Sequence, residues 1–94
     1  MDKLLVVYTM KGCPHCLEMK KRLNEEGIRF IDIDIDENEM EYNLFVEITE
    51  NDYVPAFMIV ESYNKKSKSY LYAPERDYNE LEDGIKIIKE HFSK

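Results

Sequence analysis

The chain has 94 residues, and its 20 acidic and 13 basic side chains give a formal net charge of −7. This surplus of acid argues against a nucleic-acid partner, because phosphate binding needs a basic face. No apolar stretch approaches the roughly 20 residues that span a bilayer and no signal peptide precedes the first strand, so we expect one cytoplasmic, monomeric domain over residues 1–94 without a membrane partner.

The first third of the chain predicts a strand followed by a helix. Residues 4–9 are aliphatic enough for a strand buried on both faces, and residues 10–12 end it. A helix is expected from Cys13 to about Glu26, with Pro14 in its first turn and Gly27 as its stop. Its inward face is predicted to consist of Leu17, Met19 and Leu23.

A second strand is expected over residues 29–34, with Phe30, Ile31, Ile33 and Ile35 as its apolar members. A second helix opens at residues 36–38 and is broken at residues 50–52. Its buried face is predicted to contain Met40, Leu44, Phe45 and Ile48.

The remaining residues predict two strands and a helix. The strands cover residues 55–60 and 69–73 and are joined by a long polar hairpin, in which Lys65, Lys66 and Lys68 form a solvated turn. A last helix is expected over residues 75–92. Its core-facing stripe is Tyr78, Leu81, Ile85, Ile88 and Phe92.

The resulting order is βαβαββα. A strand, a crossover helix and a second strand give a parallel pair, and the late hairpin adds antiparallel strands. We therefore predict an α/β fold with one four-stranded mixed sheet flanked by three helices.

The motif that carries chemistry is Cys13-Pro14-His15-Cys16, directly after a strand and at the start of a helix. The first N–H groups of a helix lack intrahelical partners, and the helix dipole is positive there. Thiols so placed have pKa values lowered from about 8.5 into the range of about 3.5–7.5. Cys13 is predicted to be the exposed nucleophile and Cys16 the resolving thiol, one turn deeper. Lys11, Pro14 and His15 are candidate supports for the thiolate.

A static disulfide staple is disfavoured, because cytosolic thiols are kept reduced and so small a loop gains little stability. A zinc site is disfavoured because the only histidine besides His15 is His91, expected beside the last helical carbonyls. No metal site is predicted.

These features resemble the glutaredoxin family, within the thioredoxin superfamily. The resemblance covers nearly the whole chain and rests on Val7-Tyr8-Thr9 leading into the cysteine motif, and on Tyr53-Val54-Pro55 further on. It implies a cis-Pro55 beside the dithiol and a Val54 backbone that pairs with a bound peptide or glutathione. Tyr53 and Asp77 complete the implied glutathione or substrate contacts.

Three departures bear on glutathione. Tyr53 replaces the family's usual threonine, Ala73-Pro74-Glu75 replaces its Gly-Gly, and the lysine usual at position 10 is Met10. The leading hypothesis is a dithiol oxidoreductase that reduces protein disulfides or glutathione mixed disulfides. Its electron donor is glutathione or a flavoprotein reductase, with no tightly bound cofactor.

Three alternatives stay open. The first is an iron–sulfur carrier, which Pro14 disfavours by stiffening the motif. The second is a redoxin that depends on thioredoxin reductase without using glutathione, and the third is an interaction protein with an incidental dithiol.

Overall fold

A computed structural model describes residues 2–93. Seven elements follow one another in the predicted order: β1 (Asp2–Thr9), α1 (Pro14–Glu25), β2 (Ile31–Asp34), α2 (Glu39–Thr49), β3 (Ala56–Tyr63), β4 (Lys66–Tyr72) and α3 (Leu81–Phe92). No helix among these residues is long and apolar enough to cross a membrane.

The four strands form one mixed sheet in the order β2-β1-β3-β4. The β1–β2 pair is parallel, as a strand–helix–strand unit requires. The pairs β1–β3 and β3–β4 are antiparallel. The α/β architecture and the mixed sheet predicted from the sequence are therefore confirmed.

Each face of the sheet has its own apolar core. Helices α1 and α3 cover one face, and α2 covers the other. The first core consists of Leu5, Val7, Met19, Leu23, Phe57, Ile59, Tyr78, Ile85 and Ile88. The second, smaller core consists of Val6, Tyr8, Tyr42, Phe45, Ala56 and Ala73.

Two predicted helix faces need correction. In α1, Met19 and Leu23 are fully buried, but Leu17 is 64% exposed and lies outside the core. In α2, Phe45 is buried as predicted, whereas three other residues of the predicted stripe are exposed: Met40, Leu44 and Ile48.

Aromatic packing explains the orientation of α2. The rings of Tyr42 and Phe45 lie 5.9 and 4.8 Å from the ring of Tyr8 on β1. Because aromatic side chains bury more area than aliphatic ones, the face that carries Tyr42 and Phe45 turns toward the sheet. The aliphatic stripe at positions 40, 44 and 48 is left on the solvent side.

The last helix is shorter than predicted and begins at Leu81 rather than at residue 75. Glu75 has φ +67°, and Pro74 forms an isolated bridge with Tyr78, so this segment is a folded loop. Tyr78, Ile85 and Ile88 are buried as the apolar stripe predicted, and Leu81 and Phe92 pack against their core.

The hairpin is also tighter than predicted, because the strands extend to Tyr63 and from Lys66. Asn64 and Lys65 both have positive φ, as a two-residue hairpin turn of the mirror-image type requires. The lysines of this hairpin are exposed, as predicted.

His91 does not lie simply beside the last helical carbonyls. Its Nδ1 is 2.8 Å from a carboxylate oxygen of Glu61, and its Nε2 is 2.6 Å from the hydroxyl of Tyr72. Lys3 at the start of β1 donates to the His91 carbonyl. This polar group lies at the end of β1 remote from the cysteine motif, which follows the other end.

Candidate active site

The loop that carries the first cysteine begins where β1 ends. Gly12 adopts φ +77°, a left-handed conformation that L side chains rarely tolerate. This turn redirects the chain from the sheet into α1. The sequence Gly12-Cys13-Pro14 therefore places Cys13 at the N-cap of the helix and Pro14 in its first turn.

Cys13 acts as the helix cap through its sulfur. The backbone N–H of Cys16 donates to Sγ of Cys13 over 3.1 Å, and the N–H of Leu17 donates to the Cys13 carbonyl over 3.2 Å. The sulfur thus occupies the place where a serine or aspartate oxygen normally caps a helix. An anionic sulfur is favoured there, because it accepts a hydrogen bond at the positive end of the helix dipole.

Cys13 and Cys16 form a disulfide, with Cα atoms 5.3 Å apart. The two sulfurs therefore meet, as a dithiol that cycles between thiol and disulfide requires.

Cys13 is more exposed than Cys16, as predicted, but it is not the exposed side chain that the sequence predicted. Cys13 is 7% exposed and Cys16 is 1% exposed, so both cysteines are buried. Lys11, Pro14 and His15 are all exposed around the motif. Their position permits the supporting role predicted from the sequence, which stays a prediction.

The Val54–Pro55 peptide bond is cis, as the family resemblance implied. Tyr8 pairs with Ala56 in the antiparallel ladder between β1 and β3. Pro55 therefore enters β3 at the same end of the sheet at which β1 leaves toward Cys13. Val54 is half-buried, and Tyr53 is 54% exposed.

Two side chains tie the Pro55 loop to the loop that precedes α3. The buried hydroxyl of Tyr78 donates to the Pro55 carbonyl. The amide nitrogen of Asn51 donates to the Pro74 carbonyl over 2.9 Å, and its oxygen accepts from the N–H of Tyr53 over 2.9 Å. The two loops consequently form one connected unit at this end of the sheet.

Asp77 lies in this unit and not in the first turn of the last helix, where the predicted helix bounds 75–92 place it. Its carboxylate accepts from the Ala73 N–H over 2.8 Å and from Arg76 over 2.7 Å. Asp77 thus stabilises the loop after β4 through these hydrogen bonds. Its contact with glutathione stays a prediction.

A third set of hydrogen bonds joins the end of β1 to β2 and α1. The Asp32 carboxylate accepts from the Thr9 hydroxyl over 2.5 Å and from the Lys20 ammonium over 2.9 Å. Burial raises the pKa of Asp32, but these two donors together outweigh burial and hold that pKa below its usual value. Asp32 thereby links Thr9, which precedes the cysteine motif in the chain, to Lys20 on α1, which follows it.

Sequence reasoning missed the roles of Asn51, Tyr78 and Asp32. The local sequence indicates Asn51 only as part of a helix break, and Tyr78 only as a member of an apolar stripe. Contacts between residues 23 positions apart, such as Tyr78 with Pro55, leave no periodic signal. Only the alternation of Asp32 with Ile31 and Ile33 indicated that its side chain faces away from α2.

Solved structures share this fold over most of the chain. A point mutant of a thioredoxin-like protein superposes with a TM-score of 0.60 at 13% identity, covering 89% of this chain and 97% of that one. Trichomonas vaginalis thioredoxin gives 0.58 at 19% identity, with 96% and 78% covered. Plasmodium falciparum thioredoxin gives 0.59 at 15% identity, with 94% and 70% covered.

A curated relative is similar over a shorter stretch. Thirty-five residues are 49% identical to the N-acetyl-S-hydroxy-L-cysteine reductase of Bacillus subtilis (strain 168). The match spans 37% of this chain and only 38% of the relative's length.

The sheet, the helices and the paired cysteines define a thioredoxin-fold protein with a redox-type dithiol. The family model for glutaredoxin matches residues 5–63, which include the cysteine motif and the Pro55 loop. The chain belongs to the glutaredoxin family, as its motifs predicted.

Proposed function

We propose that the protein is a dithiol–disulfide oxidoreductase that reduces protein disulfides or glutathione mixed disulfides through Cys13 and Cys16. The observation that carries this proposal is the hydrogen bond from the Cys16 N–H to the Cys13 sulfur. It supports Cys13 as the thiolate, because a donor already points at the position where the negative charge resides.

The first step is attack by the Cys13 thiolate on one sulfur of a substrate disulfide. A bond forms between that sulfur and Sγ of Cys13, the substrate S–S bond breaks, and the other substrate sulfur leaves as a thiolate that takes a proton from water. The Cys16 thiol then loses its proton and attacks Sγ of Cys13, which breaks the bond between Cys13 and the substrate sulfur and releases that sulfur as a thiolate that takes up a proton. The protein is left with the Cys13–Cys16 disulfide, and the substrate is left with two thiols.

Return to the dithiol form requires two electrons. Two glutathione molecules would supply them by becoming glutathione disulfide, and a flavoprotein reductase would supply them directly. The Val54 backbone is the proposed docking edge for the cysteine portion of glutathione or of a peptide, as an added strand. Tyr53, Pro55 and Asp77 are the proposed neighbours of that ligand.

The electron donor is decided by reducing the oxidised protein with each candidate under matched conditions. Loss of the Cys13–Cys16 disulfide is followed by alkylation and intact-protein mass spectrometry, with glutathione plus glutathione reductase, and separately with NADPH plus thioredoxin reductase. Faster reduction by glutathione supports the proposal. Reduction by thioredoxin reductase alone favours the redoxin that does not use glutathione, and no turnover of any disulfide with either donor contradicts the proposed activity.

A second candidate substrate follows from the relative in Bacillus subtilis, whose name describes a cysteine derivative with a hydroxyl on sulfur. The same dithiol can reduce such a sulfenic acid. The Cys13 thiolate attacks the sulfur, hydroxide leaves and is protonated to water, and Cys16 resolves the mixed disulfide to release the thiol.

The two candidates are separated by comparing kcat/KM for a glutathionylated peptide with kcat/KM for N-acetyl-S-hydroxy-L-cysteine. A ratio above one supports the disulfide reductase. A ratio well below one assigns the site to small sulfenic acids.

A further inference from the structure

Tyr78 is a buried tyrosine whose hydroxyl reaches the loop that carries Pro55. Its side chain belongs to the first apolar core, and its ring centroid lies 5.7 Å from that of Phe57. The hydroxyl donates to the Pro55 carbonyl in a hydrogen bond that is itself buried. Because this hydrogen bond is buried, its loss would leave the Tyr78 hydroxyl or the Pro55 carbonyl without this partner and away from water, which costs free energy.

The backbone of α3 makes room for the Tyr78 ring at Gly84. A Cβ at this position would lie 3.1 Å from Cε2 of Tyr78 and 3.2 Å from Cδ2. These are distances at which one of the two neighbours must move. Gly84 has an ordinary helical conformation, so the absence of a side chain there serves the close approach of the ring.

We propose that Tyr78 is a positioning residue, which holds the Val54–Pro55 backbone in the orientation that pairs with a bound substrate. The inference rests on the proposed function, since it takes the Val54 backbone as the docking edge. It adds a determinant of substrate affinity that lies beneath the Pro55 loop.

The backbone geometry explains why one hydroxyl has this effect. Ala56 is fixed by its pairing with Tyr8 in the ladder, and the proline ring fixes φ of Pro55. Tyr78 holds the oxygen of the peptide plane between these two residues. With that plane restrained and φ of Pro55 fixed, the Val54–Pro55 peptide plane, which carries the Val54 carbonyl, is held in one orientation.

The Tyr78 hydroxyl remains a donor throughout the neutral range. Burial, followed by the nearby Asp77 carboxylate, raises the pKa of Tyr78 far above its usual value. The positioning effect is therefore expected to be independent of pH where the Cys13 thiolate forms.

The test is the Tyr78→Phe variant, which removes the hydroxyl and keeps the ring. The matched control is Tyr72→Phe, because the Tyr72 ring also packs on Phe57, at 5.1 Å, but its hydroxyl contacts His91. We expect Tyr78→Phe to raise KM for a glutathionylated peptide by about three- to tenfold, the loss expected of one hydrogen bond. The kcat and the alkylation rate of Cys13 are expected to stay within about twofold of wild type, and Tyr72→Phe to leave KM unchanged.

An unchanged KM in Tyr78→Phe, or an equal rise in Tyr72→Phe, overturns the positioning role. A joint fall in kcat and in Cys13 alkylation overturns it as well, since that result describes general loosening of the site. If Tyr78→Phe fails to fold, Gly84→Ala displaces the ring and is expected to raise KM in the same way.

The positioning role can also be judged without turnover. In Tyr78→Phe, the amide chemical shifts of Val54 and Ala56 are expected to change while those of Cys13 and Cys16 stay in place. If the wild-type protein reduces no disulfide, the proposed function fails, and these shifts still decide whether Tyr78 orients the loop. Unchanged shifts at Val54 and Ala56 refute the inference.

Discussion

The backbone N–H of Cys16 donates to the sulfur of Cys13 across 3.1 Å, so the proposed resolving residue also supports the proposed nucleophile. Both functions follow from the three-residue spacing, which places the second cysteine at the third position of the helix that the first one caps. The spacing that brings the sulfurs into a disulfide therefore also points a main-chain donor at the sulfur that carries the charge in the proposed mechanism.

Serine substitutions of the two cysteines are expected to impair disulfide reduction at different steps. Cys13→Ser removes the attacking sulfur and is expected to abolish disulfide reduction. Cys16→Ser leaves the attack intact but cannot resolve its product, so it is expected to accumulate a mixed disulfide with the substrate. Turnover assays and intact-protein mass spectrometry measure these outcomes, and normal turnover in Cys13→Ser would contradict the mechanism.

Leu23→Ala and Leu17→Ala make the same chemical change at a buried and an exposed site of α1. The first is expected to lower the free energy of unfolding by about 2–5 kcal/mol, because it leaves a cavity in the core. The second is expected to change it by less than about 0.5 kcal/mol. Urea denaturation followed by circular dichroism measures both, and equal losses would refute the assigned helix orientation.

Asn51→Ala removes both hydrogen bonds that join the Tyr53 segment to Pro74. We expect a loss of about 1–2 kcal/mol in the free energy of unfolding, since each such bond contributes about 1 kcal/mol. The exposed Asn43 on α2 provides a control, and its alanine variant is expected to stay within about 0.5 kcal/mol of wild type. Thermal denaturation tests the pair, and matching values would show that the tie between the loops is unimportant.

Asp32 contributes stability that depends on pH. Its folded pKa lies below the unfolded value of about 3.9, so its contribution is present above that value and is lost as pH falls through the folded pKa. Because its side chain is 41% exposed and screened by solvent, Asp32→Asn is expected to cost no more than about 1 kcal/mol at pH 7.

The difference between Asp32→Asn and wild type is expected to shrink between pH 7 and about pH 2, because Asp32 takes up its proton as pH falls through the folded pKa. Urea denaturation at the two pH values measures the difference, with the exposed Asp36→Asn as control. A loss that is the same at both pH values would contradict the ion-pair account.

The sequence predicted the order of elements because strand and helix periodicities alternate clearly and the cysteine motif fixes one junction. It mispredicted the buried face of α2, where Met40, Leu44 and Ile48 form a regular apolar stripe. That stripe competes with Tyr42 and Phe45, whose contact with Tyr8 decides the outcome. Tyr8 lies more than 30 residues away, so local pattern could not settle the choice.

The loop before α3 shows the same limit at the site itself. Tyr78 fits the apolar spacing of the last helix, yet Glu75 adopts a left-handed conformation and the Tyr78 hydroxyl donates to the Pro55 carbonyl. The cysteine motif and Pro55 can be identified from the sequence, because residue type and spacing alone indicate their chemistry. The residues that hold them are defined by long-range hydrogen bonds, which a single sequence does not reveal.

The charge state of Cys13 in the reduced protein is the most direct test of the proposed chemistry. The rate of its alkylation by iodoacetamide, measured from about pH 4 to 10 in the Cys16→Ser variant and in wild type, gives its apparent pKa. We expect a value clearly below the 8.5 or so of free cysteine in both proteins. A value at or above that of free cysteine would show that the helix does not stabilise the thiolate.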